Sequence, residues 1–186
     1  MDALELLLNR TSALKLTEPG PNASELDQIF RSALRAPDHG RLRPWRFVVI
    51  PSDKRERYGE LMSELLHLRT PDATPEMLAG ERDKALRAPL IIIAAARVKD
   101  HPKIPEVEQV LSAGAAVQNI MLTAEAIGYG AMWRTGAPAY DARVKKMLGL
   151  DDTDVIAGIV YLGTRAGGSS PAVRPLPADF VRTWAG

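Results

Sequence analysis

Arg35-Ala36-Pro37-Asp38-His39-Gly40-Arg41-Leu42-Arg43-Pro44-Trp45-Arg46-Phe47-Val48-Val49-Ile50 is the stretch around which the rest of the chain reads. It opens where an amphipathic helix must end, because Pro37 disfavours helical geometry at Ala36 and has no backbone N–H to donate. It closes in the β-branched and apolar run 47–50, which has the character of a buried strand. Between them lies a loop rich in arginine that also carries Asp38, His39 and Trp45. Rigid elements on either side of a polar, aromatic-bearing loop suit a small-molecule site. The same residues fit a plain helix-to-strand connection with solvated arginines and Trp45 as a core anchor, and this stretch alone does not separate the two.

Towards the N-terminus, Ser24 is the expected cap of the helix that ends near Arg35, with Leu26, Ile29, Phe30, Ala33 and Leu34 as its apolar stripe. Before it, Asp2 can cap a first helix with Leu4, Leu7 and Leu8 on one face, running into Arg10-Thr11-Ser12. Towards the C-terminus, Ser52 is the expected cap of a third helix. Thr74 with Pro75 at the first helical position starts a fourth, running to about Arg87. The uninterrupted apolar run 90–96 predicts a central strand covered on both faces. A long helix over 106–127, apolar nearly all round, should lie buried in the middle and stop at Gly128. A strand at 129–134, a short helix capped by Asp141 and a last strand over 155–162 complete a single three-layer α+β domain spanning 1–186. In the tail, 163–186, Phe180, Val181 and Trp184 need a surface to cover, either on another subunit or on their own domain.

With 186 residues, 46% hydrophobic and 25% charged, the composition is ordinary for one globular domain. A formal net charge of +1 gives no general reason to bind nucleic acid or an anionic membrane, so any anion site must be a local cluster. The absence of cysteine excludes disulfides and thiolate chemistry and fits a reducing compartment. The first ten residues carry Asp2 and Glu5 and no cleavage site, and no apolar run reaches bilayer-spanning length, so a cytoplasmic protein is expected.

Three histidines, His39, His67 and His101, with no cysteine and no helical His-x-x-x-His spacing give no expectation of a metal. Ser12, Ser112 and Ser169 lie in no nucleophile elbow, and Gly128-x-Gly130 and Gly163-x-x-x-Gly167-Gly168 lack the strand, turn and helix of a dinucleotide fingerprint. What remains is a set of anion ligands beside aromatic residues. Arg10, Thr11 and Ser12 supply a guanidinium and two hydroxyls at a helix end, and Arg134 and Thr135 repeat the combination beside Trp133. A ligand with a phosphate at one end and a flat ring system at the other, such as FMN, would use all three clusters.

Arg10-Thr11-Ser12, Ala36-Pro37-Asp38-His39 with Pro44-Trp45-Arg46-Phe47, Ser112-Ala113-Gly114, the segment from Gly128 to Gly136, and Tyr161-Leu162-Gly163-Thr164 together resemble the nitroreductase family of FMN flavoproteins, and within it the short YdjA-like branch. The resemblance covers essentially the whole chain. It implies a three-layer fold with a mainly antiparallel central sheet flanked by helices. It also implies a homodimer whose C-terminal segments extend onto the partner subunit, with FMN at the subunit interface. By position, Arg10, Thr11 and Ser12 would hold the phosphate and ribityl end. Arg35 and His39 would contact the flavin, His39 from across the interface, and Trp133, Arg134 and Thr135 would complete the pocket. Thr123, Ala124, Glu125, Ala126, Ile127 and Gly128 correspond to a nicotinamide-nucleotide contact in this branch.

The implied activity is an FMN-dependent oxidoreductase that takes hydride from NAD(P)H and reduces nitroaromatics, quinones or related acceptors in a ping-pong cycle. His39 reads there either as a hydrogen-bonded contact or as a proton donor, and no other side chain is assigned a catalytic role. This chain departs from the family pattern at Thr11, where many members have a second arginine, at Leu14, where a basic residue is common, and at Arg41 and Arg43, where many have Asn and Gln. Those departures keep open an FMN-binding sensor or storage module with little turnover.

Overall fold

A computed structural model describes residues 2–167 and 174–186; Gly168, Ser169 and the rest of 168–173 lie outside the described residues. Its elements are α1 (Ala3–Asn9), β1 (Leu16–Thr17), α2 (Ala23–Ala33), β2 (Trp45–Ile50), α3 (Arg55–Arg69), α4 (Pro75–Asp83), β3 (Leu90–Arg97), α5 (Glu106–Ala126), β4 (Gly130–Arg134), α6 (Ala142–Met147) and β5 (Asp154–Arg165). Five strands form one sheet in the order β1-β5-β3-β2, with β4 also on β5, and every pairing among the described residues is antiparallel.

The apolar run predicted as a doubly covered strand is β3, whose residues from Leu90 to Ala96 are all buried. Leu90, Ile92 and Ala94 pack towards α2 and α5, and Ile91, Ile93 and Ala95 pack into a second cluster with Tyr58 and Met62 of α3 and Val144 of α6. Period-two alternation thus gives one strand two cores, and the molecule three layers. Each of the isoleucine side chains, taken fully from water, contributes roughly 1.5–3 kcal/mol.

Local chemistry explains the helix ends. Thr74 caps α4 through the Met77 N–H with Pro75 at the first position, as the sequence predicts, but α4 stops at Asp83 and the chain continues as a 3-10 turn, Lys84–Arg87. The cap of α2 is Asn22, not Ser24. Asn22 Oδ1 accepts from the Ser24 and Glu25 N–H groups while Glu25 Oε2 accepts the Asn22 N–H at 2.8 Å, a reciprocal box that Ser24 cannot complete. Gly128, at φ 93°, follows α5 in the left-handed conformation expected of a helix stop.

Two expectations need correction. The helix α5 is not buried all round. It packs Ala113, Ala116, Val117, Ile120 and Ala124 inward, yet leaves Val107 and Leu111 59% and 66% exposed. The pair Leu16–Thr17, outside every element expected from the sequence, is a strand, held opposite Arg165 and Thr164 of β5. The leucine stripe of α1 forms as predicted but buries nothing, and Leu4, Leu7 and Leu8 all face outward. Among the described residues of the tail only Pro177–Asp179 is helical, as a 3-10 turn, and Phe180, Val181 and Trp184 are exposed rather than folded back onto this core.

Candidate functional site

The strand β4 ends in Trp133-Arg134 and passes into Thr135-Gly136, and across from it stands Ser12. These residues with Met132 line an open cleft of about 450 Å³. The segment after α1 is fixed to β4 by the Ala13 N–H, which donates to the Ala131 carbonyl at 2.9 Å. Trp133 is held as a wall. Its Nε1 donates to the Ala157 carbonyl at 3.1 Å, and the ring lies so close to Gly158 that a Cβ there would stand 2.4 Å from Nε1. Arg134 directs its Nε at Met132 Sδ, 3.1 Å away, and makes no carboxylate contact among the described residues.

Two residues before Ser12, Arg10 closes α1 by donating its N–H to the Leu6 carbonyl. Its side-chain Nη1 is buried with no hydrogen-bond partner among the described residues. A buried guanidinium nitrogen left without an acceptor is costly, so it is a natural place for a ligand anion. Its carbonyl accepts from Arg174 Nη2 at 2.7 Å. Thr11 is held by Arg165, whose Nη1 donates to Thr11 Oγ1 and whose Nη2 donates to the Thr11 carbonyl and to Glu125 Oε2, the last at 2.8 Å.

The loop of 35–44 is braced from α5. Ser112 Oγ donates to the Pro37 carbonyl at 2.6 Å and accepts from Trp45 Nε1 at 2.9 Å, so Trp45 is a hydrogen-bonded anchor packed against the α2–α5 core. His39 Nδ1 pairs with Glu108 Oε2 at 2.6 Å on the solvent side. The Asp38 carboxylate accepts the Leu42 and Arg43 N–H groups, and the turn it closes puts Arg41 and Arg43 at φ 55° and 50° beside Gly40 at 69°. Left-handed backbone at two long side chains is strained and persists only where its surroundings enforce it. Arg35, just past α2, is exposed.

Among the predicted site residues, Ser12, Trp133, Arg134 and Thr135 share one cleft, with Arg10 and Thr11 next to it in the chain. His39 is not brought to them. It is tied to Glu108 near the start of α5, whereas Thr11 is tied through Arg165 to Glu125 near its end, a separation of about 25 Å along the helix axis. The predicted nucleotide contact forms the last turn of α5 and its stop: the Thr123 hydroxyl donates to Ser32 Oγ, Ala124 is fully buried, Glu125 holds Arg165, Ala126 and Ile127 finish the helix, and Gly128 turns the chain. Sequence reading missed Glu108, Arg165 and Gly158. Only Gly158 left a signal, as a lone glycine within an apolar strand, which marks a close approach.

A model of the nitroreductase family matches residues 7–164. The chain is 39% identical to YdjA of Escherichia coli strain K12, provisionally named an NAD(P)H nitroreductase, over 97% of this chain and 98% of that one. It is 36% identical to a protein of Haemophilus influenzae strain Rd with the same provisional name, over 88% and 89% of the two chains. In three dimensions it is similar to a nitroreductase-like family protein from Bacillus cereus, with TM-score 0.83, 21% identity and coverage of 100% and 97%. It is also similar to a protein of Desulfovibrio desulfuricans, provisionally named a nitroreductase and solved in complex with FMN, with TM-score 0.74, 23% identity and coverage of 97% and 95%.

Proposed function

The chain belongs to the nitroreductase family, and from that premise we propose that it is an FMN-dependent oxidoreductase that works as a homodimer. The observation that carries the cofactor assignment is the buried, unpartnered Nη1 of Arg10, two residues from the Ser12–Arg134 cleft. That donor set suits a phosphate: two guanidiniums, Arg10 and Arg134, with the Ser12 and Thr135 hydroxyls beside them. Thr11 contributes by fixing the backbone between Arg10 and Ser12 through its bonds to Arg165.

FMN, when bound, supplies the two-electron chemistry that links NAD(P)H to an oxidised acceptor such as a nitroaromatic or a quinone, in alternating half-reactions. The chain's own part is position and field. Trp133, immobilised on Gly158, gives a flat apolar wall that excludes water from one side of the cleft. Glu108 orients His39, and Ser112 pins the loop that carries it. The separation of His39 from Arg10–Ser12 within one protomer favours its acting across a dimer interface, together with Arg35. The exposed Leu4, Leu7 and Leu8 of α1, Val107 and Leu111 of α5, and Phe180 and Trp184 of the tail supply the apolar surface such an interface needs. Residues 123–128 stand in this reading as the nicotinamide-nucleotide contact.

The test is flavin content and turnover. Purified protein mixed with FMN should turn yellow at one flavin per protomer, and anaerobic NADH or NADPH should bleach it, with colour returning on addition of a quinone. Arg10→Ala should weaken FMN binding at least about tenfold, the scale of a lost charge-assisted hydrogen bond. A protein that stays colourless overturns the assignment, and one that binds FMN but keeps its colour with both nucleotides is a flavin-binding module instead.

A further inference from the structure

The turn that carries His39 concentrates positive charge. Over 35–46 the chain has four arginines and a single acid, in a protein whose formal net charge is only +1. That acid is spent, because the Asp38 carboxylate accepts the Leu42 and Arg43 N–H groups, and Glu108 of α5 is taken by His39. Lys99 adds a further cation, its Nζ donating to the Leu42 carbonyl at 3.2 Å. Elsewhere guanidiniums find acids: Arg31 pairs with Asp27, Arg55 with Glu18, Arg69 with Asp141 and Arg97 with Asp151. Arg41 and Arg43 are exposed and have no carboxylate partner among the described residues.

The backbone holds these two residues in place at a cost. Both lie in the left-handed region, at φ 55° and 50°, where glycine or asparagine is accommodated more cheaply than arginine. The surroundings enforce it. Asp38 closes the turn, Arg46 Nη1 donates to the Arg43 carbonyl at 3.2 Å, and the buried Ile104 fills the space beside Gly40 where a Cβ would stand. A strained turn kept in this way presents two planar guanidinium forks to solvent with nothing to neutralise them, and such forks match a phosphate.

Given an FMN enzyme whose His39 acts across the dimer, as proposed above, we infer that Arg41 and Arg43 select NADPH over NADH by binding the 2′-phosphate of its adenosine. The two reductants differ only in that group, which lies at the end of the nucleotide remote from the hydride. Its ligands therefore belong outside the flavin cleft, and neither arginine lines that cleft. Arginine is the residue that accommodates a 2′-phosphate where dinucleotide sites admit NADP. A local excess of positive charge also speeds encounter with the more anionic of the two nucleotides.

The test is the ratio of kcat/KM for NADPH to that for NADH, measured on the FMN-loaded protein with a quinone acceptor. It should exceed about ten, and the NADPH value should fall more steeply than the NADH value as NaCl is added. Arg41→Asn and Arg43→Asn should each lower the ratio several-fold, and the double variant at least about tenfold. Asparagine tolerates left-handed backbone, so these variants keep the turn. A ratio near one in the wild type, or a ratio unmoved in the double variant, overturns the proposal. An unmoved ratio with weakened use of 4-nitrobenzoate relative to nitrobenzene also overturns it, because the arginines then serve the acceptor. If neither nucleotide reduces the flavin, the oxidoreductase reading is what fails. Calorimetric titration with adenosine 2′,5′-bisphosphate then decides the turn on its own: saturable binding that the double variant loses supports it, and no saturable heat overturns it.

Discussion

Gly158 is the residue on which the wall of the cleft depends. Trp133 occupies the space a side chain would take, so Gly158→Ala must expel the indole from its bond to Ala157. We expect a loss of about 1–3 kcal/mol in urea unfolding, as for other overpacked sites, with a red-shifted tryptophan emission in the folded state. Asp141 makes a different kind of test. Burial acts to raise its carboxyl, but hydrogen bonds from Arg143 and Arg69 outweigh that and hold it below the usual carboxylate range. A depressed carboxyl stabilises the fold above its unfolded value and loses that contribution as pH falls through the folded one. The stability gap between the wild type and Asp141→Asn should therefore be full at pH 6 and narrow on acidification towards pH 3, as urea midpoints will show. Asp141→Ala also removes the N-cap of α6 and should cost about 1 kcal/mol more.

At the level of elements, α5 is the brace. Its Ser112 hydroxyl serves both the Pro37 carbonyl and the Trp45 indole, so Ser112→Ala leaves the Pro37 carbonyl without its donor and the indole N–H with only its 3.3 Å bond to the Ser112 carbonyl, and should destabilise by about 1–3 kcal/mol, visible as a lowered thermal midpoint. The elements themselves were readable wherever one local rule sufficed: the continuous apolar run of β3, the Thr74-Pro75 start of α4, the Gly128 stop. They were misread where the deciding partner was remote or subtle. Leu16–Thr17 is a strand only because Thr164 and Arg165 lie alongside, and Asn22 outcompetes Ser24 only because Glu25 stands three residues on. The same holds for the candidate site. Arg10, Ser12 and Arg134 could be picked out as anion ligands by type, but the pairing of His39 with Glu108 spans 69 positions, and no local pattern announces it.

For the whole molecule, the apolar side chains left outside decide the prediction. Phe180, Val181 and Trp184 are 74%, 68% and 90% exposed, more than a solvated end would retain without a surface to meet. Removing 178–186 should leave each protomer folded by circular dichroism, because those residues add nothing to the two cores, while lowering the sedimentation coefficient and FMN retention together. A truncated protein that sediments as a fully flavinated dimer would count against the tail as a clasp. The sheet has one more consequence. The strand β5 pairs with β1, β3 and β4, yet it is the last strand among the described residues. A nascent polypeptide that has emerged only as far as α6 holds β1 and β4 with no neighbour to zip onto, and β3 with one edge bare. Native assembly on the ribosome must wait until residue 165 has cleared the exit tunnel, and until then those apolar edges are cargo for a chaperone.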